Sequence, residues 1–121
     1  MLNLDTHVLL HALGGSLRPR ERALLERESW SISSIVLWEI AKLAQLGRIQ
    51  IDLDDAALTR VLAHIQVWPL SLDICRAIRS LDFRADPADE IIAATSLVHG
   101  IPLLTRDARL RKSRRVPLAS Q

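Results

Sequence analysis

Residues 86–107 read DPADEIIAATSLVHGIPLLTRD, and this stretch decides the fold. The apolar run from Ile91 to Gly100 predicts a helix that the loop of residues 82–90 introduces and that glycine ends. IPLLT then has the composition of a short buried strand, and it leads within two residues to an acid, Asp107. The stretch therefore predicts a helix followed by a strand whose carboxyl end carries a carboxylate.

The same alternation of short apolar strands and helices runs through the rest of the chain. Strands are predicted at MLNL and WSIS, and a strand or extended turn at VWPLSL. Helices are predicted at THVLLHAL, RERALLERE, IVLWEIAKLAQLG, DDAALTRVLAHIQ, DICRAIRSL and RDARLRK. Gly15 and Gly47 are placed to end helices, and Ser33 or Ser34 to cap one. This order predicts an α/β fold, a three-layer sandwich in which helices flank a mostly parallel central sheet.

The size and composition of the chain indicate a soluble domain. It has 121 residues, of which 49% are hydrophobic, and residues 1–121 are predicted to form a single globular unit. No stretch approaches the roughly 18 apolar residues that a membrane-spanning helix needs. The single cysteine, Cys75, cannot form an internal disulfide, which argues against a secreted, disulfide-stabilised scaffold. We therefore expect a cytoplasmic protein.

The charge is unevenly distributed. The net charge is only +2, but six basic residues follow Thr105 against a single acid. These are Arg106, Arg109, Arg111, Lys112, Arg114 and Arg115. The positive electrostatic field of these residues favours phosphate-bearing partners, although a solvated helix face would have the same composition. The chain has three Trp, one Phe and no Tyr, too few for a base-stacking sheet, so nucleic-acid binding is expected to rely on the sugar-phosphate backbone.

Two acids lie at the ends of predicted strands. Asp5 directly follows MLNL, and Asp107 follows IPLLT after one arginine. Because the carboxyl ends of parallel strands meet at one edge of a sheet, where ligands bind in such folds, these carboxylates are expected to lie close together. Either residue could instead serve only as a helix N-cap, a position that aspartate favours.

Two further acids lie on predicted helices. Asp89 precedes Ile92 by one turn on a nearly apolar helix, so its carboxylate is expected to face the sheet. Burial there is costly unless the group is paired or binds metal. Glu39 lies inside its helix, where it cannot cap the helix end. A surface pair with Lys42 is the alternative interpretation.

Two neighbours of these acids are assigned structural roles. Asp86 precedes Pro87, which is the pattern of an N-cap followed by proline in the first turn. Trp38 adjoins Glu39 and is expected to pack beneath its helix.

The four acids together, Asp5, Glu39, Asp89 and Asp107, would form an oxygen-only cluster. Mg²⁺ and Mn²⁺ prefer carboxylate and water ligands, so the cluster suits one or two of these ions. Such an ion lowers the pKa of a bound water toward neutrality and generates a hydroxide that attacks a phosphorus atom. The basic residues Arg106, Arg109, Arg111 and Lys112 are predicted to hold flanking phosphates.

Three stretches in this order resemble the VapC-type PIN domains. They are LDTHVLL at residues 4–10, ISSIVLWEIAKLAQLGRI at residues 32–49, and residues 86–107 quoted above. The resemblance implies a PIN-like fold and a metal-dependent endoribonuclease, the toxin of a type II toxin–antitoxin pair. It implies that Asp5, Glu39, Asp89 and Asp107 hold the metal, with Thr6 and Thr105 supporting them. It also implies an RNA substrate, a homodimer and a cognate antitoxin protein.

The chain departs from this family's pattern at two places. Arginine often follows the third acid, whereas Glu90 stands here, and some relatives carry a further acid or amide shortly after the fourth. Three other functions are kept as alternatives. They are a PIN-like module that binds RNA or protein without cutting, a PIN nuclease of housekeeping RNA processing, and an aspartate-based phosphotransfer domain. The last is disfavoured because no lysine follows the final strand in LLTRD.

Overall fold

A computed structural model describes residues 1–120; Gln121, the last residue of the predicted domain, lies outside the described residues. Within residues 1–120 one sheet of four strands is present, with the spatial order β3-β2-β1-β4 and all neighbours parallel. The strands are β1 (Leu2–Leu4), β2 (Trp30–Ser33), β3 (Gln66–Trp68) and β4 (Leu103–Leu104). The expected mostly parallel sheet is therefore confirmed.

Helices connect each strand to the next. They are α1 (Thr6–Gly14), α2 (Pro19–Arg27), α3 (Ser34–Gln45), α4 (Ala56–Ala63), α5 (Leu72–Ala77), α6 (Pro87–His99) and α7 (Ala108–Arg111), with a 3₁₀ turn at Ile78–Ser80. Gly15 and Gly100 end α1 and α6 with φ of 72° and 64°, a left-handed conformation that glycine adopts without strain. None of the helices described in residues 1–120 is long and apolar enough to span a membrane.

Strand β1 lies at the centre of the sheet and is covered on both faces. Asn3 pairs in register with Ser31 of β2 on one side and with Leu103 of β4 on the other. Leu2, Asn3 and Leu4 are all buried, although their side chains alternate between the faces. Burial on both faces is the signature of a parallel sheet sandwiched between helices, which confirms the three-layer α/β prediction.

Helix α6 is fixed to this central strand by a buried polar contact. It packs on β1 and β2, and the Asn3 side-chain amide donates to the Ile92 carbonyl at 3.1 Å and to Ser96 Oγ at 2.9 Å. Ile92, Ala93 and Ala94 of α6 are fully buried. The helix that carries Asp89 is thereby held against the strand that ends at Asp5.

Several element boundaries differ from the sequence-based expectation, and the stretch VWPLSL forms a strand only through Trp68, since α5 begins at Leu72. The helix predicted across residues 54–66 ends at Ala63, because Gln66 already pairs with Ser31 in the sheet. The helix predicted across residues 73–81 divides into α5 and the 3₁₀ turn. Helix α6 begins at Pro87, as the Asp86–Pro87 pattern predicts, so the loop expected across residues 82–90 is shorter.

Candidate metal and nuclease site

Asp5 lies at the centre of the candidate site, directly after β1. Its residue surface is 3% exposed, and both carboxylate oxygens accept hydrogen bonds. Oδ1 accepts from the Thr6 amide at 2.8 Å, and Oδ2 accepts from Thr105 Oγ1 at 2.6 Å. Thr105 follows β4, so a hydroxyl at the end of one strand orients a carboxylate at the end of its neighbour.

Asp107 is connected to Asp5 through the same threonine. Its amide donates to Thr105 Oγ1 at 3.0 Å. Its Oδ1 atom accepts from the amides of Arg109 and Leu110 at 2.8 and 3.2 Å, so Asp107 caps α7. The capping interpretation is confirmed for this residue, and it fixes the carboxylate at the same sheet edge as Asp5.

Glu39 reaches the site from α3. Its Oε1 atom accepts a hydrogen bond from Thr6 Oγ1, the residue that also binds Asp5 through its amide. Lys42 instead donates to Gln45 Oε1 at 2.8 Å. The alternative interpretation of a Glu39–Lys42 surface pair is therefore wrong, because one turn of helix directs the two side chains to different partners.

Asp89 is the carboxylate whose electrostatic environment is most perturbed. Burial raises the pKa of Asp89 to about 6, and repulsion from Asp5, Glu39, Asp107 and Asp86 adds to this rise. Three of these repelling groups are the other acids singled out from the sequence. The carboxylates at the end of β1, on α3 and after β4 therefore all lie close enough to Asp89 on α6 to disfavour its charged form.

Asp86 is a fifth acid beside the site. It occupies the residue before α6, but its side chain makes no capping hydrogen bond. The predicted N-cap position of Asp86 and first-turn position of Pro87 are therefore confirmed. The Asp86 carboxylate accepts no capping hydrogen bond and instead lines a cleft with Asp89 and Asp107. Glu90, one residue after Asp89, accepts from the Ala85 amide at 3.4 Å.

The four acids supply the carboxylate oxygens that a hard divalent cation prefers, although they do not enclose a complete coordination sphere. Within residues 1–120 no three acidic, histidine or cysteine side chains meet in a ready-made coordination geometry. Asp5 and Asp107 are instead oriented by hydrogen bonds. Burial and the neighbouring carboxylates raise the pKa of Asp89. Mg²⁺ commonly takes one or two carboxylates and keeps several waters, so this open, oxygen-only arrangement suits it.

Arg106 lies between Thr105 and Asp107, but its guanidinium points away from them. Nε and Nη2 donate to the two carboxylate oxygens of Glu21 at 2.8 and 2.7 Å, and Nη2 also donates to the Ser16 carbonyl. Glu21 is fully buried on α2. The predicted role of Arg106 in binding RNA phosphate stays a prediction, and the structure gives its side chain a different partner.

The other predicted phosphate-binding residues divide between two clefts. Arg109 and Lys112 line the cleft that contains Asp89 and Asp107. Arg111 lines a separate cleft with residues 18–21 at the start of α2. Sequence alone grouped these three cations because they follow one another closely, but successive residues of a helix face different directions.

Two polar residues near the site were not singled out from the sequence. Asn3 is a lone polar residue inside the apolar strand MLNL, and that contrast is the signal that could have identified it. Glu21 lies three residues after Arg18, whose amide donates to Glu21 Oε1 at 2.8 Å. A glutamate at this spacing is typical of a helix start, but nothing local indicates its ion pair with Arg106.

Trp38 is exposed, contrary to expectation. Its residue surface is 57% exposed, whereas it was predicted to pack beneath α3. Val36 and Ile40, two residues before and after it, are buried, so the helix directs Trp38 outward. The error arose from assigning burial by side-chain type without following the helical phase.

Comparison with known proteins gives the family. The family model of the PIN domain matches residues 3–116. Ribonuclease VapC22 of Mycobacterium tuberculosis is 31% identical to this chain over 120 aligned residues, which cover 92% of this chain and 90% of that protein. The Asp5, Glu39, Asp89 and Asp107 positions all fall within the region that the family model matches.

Solved structures share the fold at lower identity. VapBC2 from Rickettsia felis, bound to a DNA fragment from its promoter, gives a TM-score of 0.76 at 17% identity and covers 100% of this chain and 99% of its own. FitAcB from Neisseria gonorrhoeae gives 0.71 at 21% identity, with 99% and 97% covered. A toxin–antitoxin complex from Klebsiella pneumoniae gives 0.69 at 21% identity, with 93% and 91% covered. This chain therefore belongs to the PIN-domain family, as a relative of the VapC ribonucleases.

Proposed function

We propose that this protein is a metal-dependent endoribonuclease and the toxin of a type II toxin–antitoxin pair. The observation that carries the proposal is the hydrogen-bond network in which Thr6 joins Asp5 to Glu39 and Thr105 joins Asp5 to the Asp107 backbone. Repulsion of Asp89 by these three acids, added to its burial, supports the same site. Family membership and the 31% identical ribonuclease support the same reaction class.

In this proposal Asp5, Glu39, Asp89 and Asp107 hold Mg²⁺ or Mn²⁺, as one ion or two. When bound, the metal supplies an activated water for attack on the scissile phosphorus and offsets charge on the leaving oxygen. Thr105 and Thr6 orient the Asp5 carboxylate, and Thr6 also orients Glu39. Hydrogen bonds of this kind, made by residues behind the ligands, determine how well a metal is held.

In this proposal basic side chains of the protein bind the RNA strand. Arg109 and Lys112 lie beside Asp89 and Asp107, where they would bind phosphates that flank the scissile bond. Such contacts give affinity and orientation without reading base sequence. Because the Arg106 guanidinium already binds Glu21 and Ser16, we assign it to holding the segment that carries Asp107.

The test is cleavage of a mixed RNA pool by purified protein with Mg²⁺, with Mn²⁺ or with chelator. Asp5→Asn and Asp89→Asn are expected to abolish metal-dependent cleavage while circular dichroism shows an intact fold. Asp73→Asn is the matched control, because Asp73 is an exposed acid on α5 that contacts only Arg76, at 3.8 Å. Cleavage at the wild-type rate by both site variants would refute the assignment.

A non-cleaving RNA- or protein-binding module is the competing function. It predicts that the wild type binds RNA but cleaves none with either metal, even after any co-purified protein is removed. Growth arrest on expression, relieved by the neighbouring antitoxin gene, separates a toxin from a housekeeping RNA-processing nuclease.

The proposed partners are a cognate antitoxin and a second copy of this chain, and the proposed location is the cytoplasm. The solved relatives above include a toxin–antitoxin complex and a VapBC assembly, which supports an antitoxin. Large apolar side chains are exposed, among them Trp38 at 57% and Leu72 at 63%. The homodimer is proposed from the resemblance to VapC-type PIN domains, and these exposed side chains are available for such a contact. Light scattering of the purified protein tests the homodimer.

A further inference from the structure

A cleft of about 800 Å³ opens beside Asp89 and Asp107. We call it the lateral cleft. Asp82, Phe83 and Asp86 form one wall, and Arg109, Lys112 and Ser113 form the other. Its volume falls in the range of pockets that bind small-molecule-sized groups, so it can admit one nucleotide.

The two walls of the lateral cleft are fixed to each other by hydrogen bonds. Ser113 Oγ and the Arg114 amide donate to the two oxygens of Asp82 at 2.6 and 2.8 Å. Arg109 Nη1 donates to the Arg84 carbonyl at 3.0 Å. Hydrogen bonds therefore join the loop before α6 to α7 and to the segment that follows it.

Lys112 supplies a cation that the protein does not itself neutralise. No hydrogen bond or salt bridge joins its side chain to any described residue, although four carboxylates line the same cleft. Arg109, on the same wall, is held by the Arg84 carbonyl, which is neutral. Two positive charges thus face the cleft without an ion-pair partner, next to the proposed metal ligands.

Phe83 adds an aromatic side chain to the opposite wall. It is the only phenylalanine of the chain, and it is partly buried against the core while it also lines the cleft. A ring of this kind stacks on one unpaired base of any identity. The absence of a continuous aromatic platform, noted from the sequence, is consistent with a single stacked base.

We propose that the lateral cleft binds one nucleotide of single-stranded RNA beside the scissile phosphate, with Lys112 on a phosphate and Phe83 against the base. The proposal rests on the function proposed above and names its substrate as unpaired RNA. Bases in a duplex are stacked on their neighbours and cannot offer a free face to Phe83, so a paired strand is excluded.

The test measures binding, not cleavage. Fluorescein-labelled, random-sequence RNA about six nucleotides long is titrated with protein in chelator at several salt concentrations, with fluorescence anisotropy as the readout. Lys112→Gln is expected to raise the Kd several-fold and to lower the salt slope by about 0.7, the value for one phosphate contact to a single strand. Arg111→Gln removes the same charge from the neighbouring position but faces the separate cleft, so its Kd is expected to stay near that of the wild type.

Phe83→Leu tests the base contact while keeping an apolar side chain of similar size. We expect about fivefold weaker binding or more, restored by Phe83→Trp. On an abasic oligonucleotide with the same phosphates, Phe83→Leu is expected to have no effect, whereas Lys112→Gln keeps its effect. Thermal unfolding of each variant confirms that the fold is intact.

Equal weakening by Lys112→Gln and Arg111→Gln would overturn the proposal in favour of a diffuse basic field. It would also be overturned if the wild type did not bind at low salt, or if Phe83→Leu weakened abasic and normal RNA alike. Because the assay contains no metal, its outcome is separate from that of the nuclease test. Loss of cleavage with this binding pattern intact would remove only the catalytic proposal.

Discussion

Arg106 and Glu21 form a bidentate salt bridge beside the carboxylate site, with nitrogen–oxygen distances of 2.7 and 2.8 Å. The Glu21 side chain is 1% exposed and that of Arg106 is 20% exposed. The Arg106 hydrogen bond lowers the pKa of Glu21 below its ordinary value, more than burial raises it. The pair ties α2 to the residue between Thr105 and Asp107, so the helix supports the site from outside it.

Breaking this pair is expected to have unequal effects on stability. Arg106→Gln leaves a buried carboxylate without its counter-charge and should lower the free energy of unfolding by about 3 kcal/mol. Glu21→Gln leaves an arginine that retains some contact with solvent, so about 1 kcal/mol is expected. Urea denaturation measures both.

The pH dependence of stability tests whether the Glu21–Arg106 ion pair causes the loss in Arg106→Gln. Because the Glu21 pKa is lower in the folded state, its contribution to stability is present above the ordinary value of 4.5 and is lost as pH falls through the lowered value. The difference between Arg106→Gln and wild type should therefore shrink in acid. A difference that stays constant from neutral pH to below pH 4 would contradict the pairing as its cause.

Much of the fold follows from local sequence. MLNL, WSIS and IPLLT are apolar runs that end at a polar residue, so strand positions and strand ends can be identified without tertiary information. Parallel order then brings Asp5 and Asp107 to one edge, as expected from the sequence. The Thr105 hydrogen bond between their segments, spanning 100 residues to Asp5, agrees with that expectation.

The contacts that were missed depend on distant partners. Glu21 lies in PRERALLER, a helix whose composition is that of a solvated surface, and its partner Arg106 is 85 residues away. The Lys112 and Arg111 directions depend on where α7 begins, which Asp107 sets by capping it. Residue type alone does not show which distant side chains form an ion pair. It also does not show which way each side chain of a short helix points.

Asn3 is expected to contribute to stability well beyond its size. Asn3→Ala removes two buried hydrogen bonds between β1 and α6 and leaves the Ile92 carbonyl and Ser96 hydroxyl without this donor. We expect a loss of about 2–3 kcal/mol in the free energy of unfolding, measured in urea. Ser96→Ala removes only one of the two bonds and should cost less. A double variant whose loss equals the sum of the two would show that the residues act independently, against the contact described.

Thr105→Val is expected to weaken metal binding more than it weakens the fold. Valine keeps the shape but removes the hydroxyl that donates to Asp5 and accepts from the Asp107 amide. Loss of such an orienting contact commonly lowers metal affinity about 10- to 100-fold. Calorimetric titration with Mn²⁺ measures this effect, with Thr105→Ser expected to retain most of the affinity.

Thr59→Val is the matched control for this change. Thr59 lies on α4, is exposed, and donates its hydroxyl to the Asp55 carbonyl away from the site. Its Mn²⁺ affinity should equal that of the wild type. Equal affinity for Thr105→Val and wild type would show that the threonine does not orient the carboxylates for metal.

Asp89→Asn is expected to stabilise the metal-free protein at neutral pH. Burial raises the pKa of the Asp89 carboxyl to about 6, and repulsion from neighbouring acids, of which Asp5 contributes most, adds to the rise. A carboxyl whose pKa is higher in the folded state stabilises the fold below its ordinary pKa of 3.8, and this contribution is lost as pH rises through about 6. The variant should therefore exceed the wild type by about 1 kcal/mol above pH 7, after allowance for screening by solvent, and match it below about pH 4. Urea denaturation in chelator measures the difference across this range. Added Mg²⁺ should then stabilise the wild type more than the variant, because an ion that binds only the folded state raises stability by an amount that grows with the logarithm of its concentration divided by its Kd. A stability difference that is the same at every pH would mean that the Asp89 charge is not the cause.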